Sequence, residues 1–155
     1  MNAYRPTARQ ELALDLFLKL LRAADAVSVT IGQRLQRAGI THSQFAVLDA
    51  LYHLGPLCLS ELAAKILKTG GNLTTVVRNL RTRSLVQRLP TGQDRRFVRI
   101  EITIPGAQVY EELFPQHVRR IAKVMSCLSE NDQRKLAALC RKLGKCAPEI
   151  LGEYD

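Results

Sequence analysis

The sequence predicts a mainly α fold with a small β-wing: a winged helix-turn-helix set between long N- and C-terminal helices. Three observations predict it. Two short apolar-periodic stretches flank a Gly70-Gly71 turn, which is the pattern of a helix-turn-helix. Immediately afterwards the period changes from that of a helix to the alternation of a strand, twice, around a charged connection. Charge is concentrated over the same stretch. Residues 65–99 hold nine cations against one acid, a net +8 in a chain whose total is +9.

The first helix is expected from Thr7, as N-cap, to about Arg37. Leu12, Leu16, Leu20, Ala24, Val27, Ile31 and Leu35 recur every three or four positions, and Ala13, Phe17 and Leu21 widen the stripe over the first half. A stripe that wide exceeds what one packing partner needs, so residues 8–22 are expected to form a dimer contact. Gly39 ends the helix. Thr41 or Ser43 caps the next, whose apolar set is Phe45, Val47, Leu48, Leu51 and Leu54, and Gly55-Pro56 stops it.

Leu57–Leu59 reads as a short strand, and Ser60 as the cap of a helix holding Leu62, Ala63, Ile66 and Leu67. Asn72 is expected to cap a helix over Leu73–Leu85. Leu73, Val76, Val77 and Leu80 fall on one face of it. Thr74, Thr75, Arg78, Asn79, Arg81 and Thr82 occupy the other, with no carboxylate among them. A core helix needs only the first face, whereas a helix that enters a DNA groove needs both. Leu85–Leu89 and Phe97–Ile102 alternate as strands, and Pro90–Arg96 joins them as a hairpin with a charged tip.

Thr103 caps the following helix, with Pro105 in a first turn where a missing N–H is harmless. Its apolar pattern runs to about residue 127, through Val109, Tyr110, Leu113, Val118, Ile121 and Val124, with a kink expected at Pro115. Ser129 caps the last helix, whose buried face is expected to be Leu136, Leu139, Cys140 and Leu143. Pro148 should end or bend it.

Composition narrows the function. The 155 residues are 46% hydrophobic and 24% charged, as in a globular chain able to bury a core. Aromatics are only 5%, which argues against a reader of single strands that stacks bases on aromatic rings. A net charge of +9 calls for a polyanionic partner. With no long apolar run and no signal-peptide pattern at the start, a soluble, cytoplasmic protein is expected. There is no phosphate-binding glycine loop, no G-x-S-x-G and no H-E-x-x-H, so no enzyme activity and no cofactor are expected. Cys58, Cys127, Cys140 and Cys146 form no C-x-x-C pair, and His42, His53 and His117 have no ligand spacing, so no metal is expected either. Buried free thiols are the expected state of the four cysteines.

At the hairpin the chain resembles the MarR family of bacterial transcriptional regulators. The matching segments are Leu59-Ser60-Glu61-Leu62-Ala63, Gly71 to Leu80, Leu85-Val86, the wing motif Asp94-Arg95-Arg96, and Ile102-Thr103 with Gly106. The resemblance spans roughly residues 8–147. It implies a homodimer, with residues 7–37 and 104–147 as dimerisation helices and 41–102 as the DNA-binding region of a single 155-residue unit. It implies that Asn72, Thr74, Thr75, Arg78 and Asn79 face the major groove of double-stranded DNA. It further implies that Asp94 holds a wing arginine while Arg95 or Arg96 reaches the minor groove. The resulting expectation is a sequence-specific regulator, by default a repressor, on a pseudopalindromic operator. Many members of the family bind small aromatic or phenolic effectors. Tyr52, His53, Tyr110 and His117 are the candidates to line such a cavity, with core packing as the alternative. Two competing functions are a thiol-based redox regulator of the same fold and a winged-helix module that binds protein or RNA. The family usually carries Gly where this chain has Ser84. A left-handed backbone there costs Ser more than Gly, so a different helix end is expected.

Overall fold

The computed structural model describes residues 4–66, 70–89 and 98–151, without the side chains of 70–72 and 147–151. The elements, in order, are α1 (Ala8–Arg37), α2 (His42–Leu54), β1 (Leu57–Cys58), α3 (Leu59–Ile66), α4 (Gly70–Thr82), β2 (Val86–Leu89), β3 (Arg99–Ile102), α5 (Ile104–Met125) and α6 (Glu130–Leu151). They divide into two compact units at Val118, within α5.

In the first unit the helix starts follow side-chain caps. Thr7 and Gln10 form a reciprocal capping box at α1, and Thr41 and Gln44 form another at α2. Of the two candidates for the α2 cap, Thr41 is the one used. At α3 the Glu61 carboxylate accepts the Cys58 backbone N–H at 2.7 Å, so the helix begins at Leu59 and β1 is one residue shorter than expected. That hydrogen bond holds the Glu61 carboxyl below the usual carboxylate range. The helix α4 begins at Gly70, so the backbone of Asn72 lies in its first turn and not at a cap.

The sheet order is β1-β3-β2, all antiparallel. Arg88 pairs with Ile100 and Leu89 with Arg99, which sets the hairpin register. The core of this unit packs Leu35 and Ile40 with Phe45, Leu48 and Leu51 of α2. Leu62, Leu73, Val77 and Leu80 join from the helix-turn-helix, Val86 and Ile100 from the sheet, and Tyr110 and Leu113 from α5. Only the end of α1 enters this core. Leu12 is 70% exposed, and Leu14, Leu16, Phe17 and Leu21 are exposed as well.

Ser84 takes the left-handed conformation, φ 57, so the helix end that Gly usually makes is made here by Ser. Its carbonyl accepts from the Thr103 hydroxyl at 2.7 Å, and that hydroxyl in turn caps α5 by accepting from Gly106 N–H. Gly106 is required by a close approach. A Cβ on it would fall 2.0 Å from the Leu85 carbonyl oxygen. We expect Gly106→Ala to cost roughly 3 kcal/mol, the upper end for overpacking, because the obstruction is backbone and cannot change rotamer. Urea unfolding checks it, and a loss below about 1 kcal/mol would contradict it.

The second unit holds the end of α5, a turn and α6. Ser129 caps α6 by accepting from Asp132 N–H, and Gln133 Nε2 donates to the carbonyls of Met125 and Leu128, closing the turn. The helix continues past Pro148 to Leu151, so the proline does not end it. Leu136, Leu139 and Leu143, expected to be buried, are exposed. They do form one apolar face of α6, but nothing in their own unit covers it. No helix among the described residues is long and apolar enough to cross a membrane.

Candidate nucleic-acid interface

The two faces of α4 separate as their chemistry demands. Leu73, Val77 and Leu80 are buried and Val76 is half-buried, while Thr74, Thr75, Arg78, Asn79, Arg81 and Thr82 are exposed. The apolar face is fixed against α2, α3 and the sheet, so the polar face is presented outward on a rigid helix. That arrangement suits base-edge recognition, where hydrogen-bonding groups have to be held in register. Asn72's side chain, Asp94, Arg95 and Arg96 lie outside the described residues.

Beside this face a cavity of about 400 Å³ opens between α4, the start of α3 and the sheet. Thr74, Arg78, Arg81 and Arg88 line its polar side; Leu59, Val77, Val98 and Ile100 line its apolar side. Cys58 opens onto it with Sγ 2.9 Å from Ser60 Oγ. None of the four cysteines is buried as expected. Cys58 and Cys146 are half-buried and Cys127 and Cys140 exposed. The reason for Cys140 is that it shares the uncovered face of α6 with its leucines.

Tyr52, His53, Tyr110 and His117 come together between α2 and α5. The Tyr110 hydroxyl donates to Asp49 Oδ1 at 2.6 Å, and His53 Nε2 lies 3.0 Å from the same hydroxyl. Because that hydroxyl's proton goes to Asp49, its oxygen accepts from the imidazole N–H. Burial, and then the bond to Asp49, push the Tyr110 hydroxyl well above the ordinary tyrosine range. The Tyr52 ring lies 4.6 Å from that of Tyr110, tilted by 35°, and its hydroxyl donates to Glu111 at 2.7 Å.

Asp49, His42 and Phe114 complete the cluster together with Phe45, which the apolar pattern of α2 marks only as core. Phe45, Asp49, Tyr52 and His53 lie at helical spacing on α2, and Tyr110, Phe114 and His117 do so on α5. Applying the 3.6-residue period to aromatics as well as aliphatics would have found both faces.

His117 packs on Phe45 with ring centroids 4.5 Å apart. Burial first, and the nearby His42 second, hold its pKa below the ordinary value. An unfolded chain therefore binds this proton at a higher pH than the folded one, and folding loses stability as pH falls below about 6.5. The loss levels off once pH passes the folded pKa. We expect His117→Gln to flatten the fall of the urea midpoint between about pH 7.5 and pH 5. An unchanged profile would mean that other groups carry the acid sensitivity.

Comparison with known proteins agrees with this geometry. Residues 40–98 match the MarR family. Over 140 residues the chain is 31% identical to the HTH-type transcriptional regulator MhqR of Bacillus subtilis (strain 168), spanning 90% of this chain and 97% of that one. The fold is similar to that of Sco3205, a MarR family transcriptional regulator from Streptomyces coelicolor solved in complex with DNA. The TM-score is 0.81 at 23% identity, over 94% of this chain and 92% of that one. It is also similar to NadR, solved in complex with 4-hydroxyphenylacetate. There the TM-score is 0.69 at 25% identity, over 94% of this chain and 99% of that one. With a rigid polar helix face, a three-stranded wing sheet and a relative of this identity along nearly its whole length, the chain belongs to the MarR family of DNA-binding transcriptional regulators.

Proposed function

We propose that the protein is a cytoplasmic homodimer that binds a pseudopalindromic operator and represses transcription until a small aromatic or phenolic ligand releases it. The observation that carries the reading is the outward, carboxylate-free face of α4 on a head whose core is otherwise closed. Thr74, Thr75, Arg78 and Asn79, with Asn72, meet base edges in the major groove. Arg95 and Arg96 meet phosphate or the minor groove, with Asp94 as their support. The uncovered leucines of α1 and of α6 support a second copy as the partner, since monomers rarely leave so much apolar side chain in water. Residues 7–37 and 104–147 supply that contact, and 41–102 the reading head.

The facing aromatic surfaces of α2 and α5 support an aromatic ligand site at Tyr52, His53, Tyr110 and His117, as does the similarity to NadR, which binds 4-hydroxyphenylacetate. The polar groups of Tyr52, His53 and Tyr110 are already bonded to one another or to Asp49 and Glu111, so a ligand has to exchange those hydrogen bonds for its own. A phenol offers one hydroxyl as both donor and acceptor, which matches that exchange.

Selection of bound duplexes from a random library tests the reading. We expect an inverted repeat with half-site centres about one helical turn apart. Recovery of no enriched repeat, or of RNA in preference to duplex DNA, would overturn it.

A further inference from the structure

The last turn of the recognition helix is held from two sides. On one side Arg83, just past α4, turns back so that its Nη1 donates to the Gly39 carbonyl at 2.5 Å. Gly39 forms the corner between α1 and α2, with φ 70, and the left-handed corner fixes where that carbonyl points. On the other side the Ser84 carbonyl takes the Thr103 hydroxyl that also caps α5, and Thr103 N–H donates to the Leu85 carbonyl at 3.1 Å. The two sides of this bracket reach the corner that follows α1 and the start of α5, and both helices are elements of the proposed dimer contact. A non-glycine residue in the left-handed region persists where its surroundings over-determine it, so Ser84 marks a junction held tightly.

Arg83 also changes the reading of the charge. It is one of the nine cations of residues 65–99, yet its Nη1 donates to a carbonyl of the protein itself. A hydrogen bond from an ionised donor is among the stronger kinds and is directional. This one lies at the corner between α1 and α2.

The geometry points to Arg83 as a positioning residue that sets the angle of the recognition helix against the dimer arms, and so the half-site spacing that the two heads accept. This rests on the reading of the protein as a dimer on a two-half-site operator. One added base pair moves a half-site by about 3.4 Å and turns it by about 34°. Heads held at a fixed angle cannot follow both changes; loosened heads can.

The test uses the full chain and the selected operator, with the spacer at its native length and longer or shorter by one base pair. Parent, Arg83→Ala, Arg83→Gln and Arg83→Lys are titrated at several salt concentrations, with thermal melts to confirm folding. We expect the parent to lose about tenfold or more in affinity when the spacer changes, the scale of a mismatched contact. In Arg83→Ala the native operator binds more weakly, the spacing penalty shrinks to a few-fold and the salt slope is unchanged. Lysine, which can still reach the carbonyl, restores part of the spacing penalty. Arg83→Gln lacks the ionised donor and is read in the same way if the alanine variant does not fold. A parent spacing penalty retained in both Arg83→Ala and Arg83→Gln would overturn the inference. So would a salt slope lowered by about one per subunit with the penalty intact, which would make Arg83 a phosphate contact. A parent indifferent to spacing would instead overturn the two-half-site reading beneath it.

Discussion

Deleting residues 1–22 will leave a monomer or an aggregate and will abolish tight operator binding. Leu12, Leu14, Leu16, Phe17 and Leu21 are exposed on the part of α1 that the deletion removes. Burying each such side chain is worth about 1.5–3 kcal/mol, so several of them on each protomer are enough to drive association. The parts of α1 that belong to the core of its own unit, Ile31 and Leu35, are retained, so the reading head should still fold. What it loses is the second head. Two half-sites engaged by linked heads gain on the order of 10²–10⁴-fold over one head alone, and the deletion forfeits that factor. Equilibrium sedimentation and operator titration read the two effects together. A well-folded truncated dimer with full affinity would remove α1 from the interface.

The recognition helix and the wing will fail in different ways. Arg78 stands on the exposed face of α4 and is proposed to meet a base edge, where a bidentate contact discriminates by roughly 1–3 kcal/mol. Its loss should relax sequence preference at one position in each half-site. Arg95 and Arg96 fall in sequence between β2 and β3 and are proposed to meet phosphate or a narrow minor groove. Replacing both by alanine should weaken binding to every sequence and lower the salt slope by about one per lost phosphate contact in each subunit. Asp94→Ala should give a milder form of the wing defect, because it removes the proposed support and leaves the cations. If the double wing variant kept both affinity and salt slope, the hairpin would not touch DNA.

Much of this architecture was legible because it rests on local rules. Thr7, Thr103 and Ser129 are each readable as caps from the sequence, and Thr41 as one of two candidates, and each accepts a backbone N–H of its helix's first turn. The division of α4 into apolar and polar faces followed from period alone. Burial was less legible wherever it depends on what a face meets. The periodicity of α6 identifies Leu136, Leu139 and Leu143 as one stripe but cannot say whether it is covered by the same chain. The same holds for the first half of α1. Three kinds of detail escaped because they join residues far apart in sequence: Asp49 with Tyr110, Arg83 with Gly39, and Cys58 with the arginines around its cavity. Ser84 escaped for another reason. Its backbone cost is real, but the hydrogen bond from Thr103 and the close passage of Gly106 against Leu85 fix the turn from outside, and propensity yields to tertiary contact.

On the proposed function, the exposed face of α4 reads sequence. Binding isotherms of the parent and of Arg78→Ala, on operator and on scrambled duplex over a range of salt, test it most directly. The ratio of operator to scrambled affinity should fall by about tenfold or more in the variant, the equivalent of losing a bidentate base contact. Affinity for scrambled duplex should change far less than affinity for the operator. An unchanged ratio, with both affinities lowered equally, would show that Arg78 only neutralises phosphate and that sequence is read elsewhere.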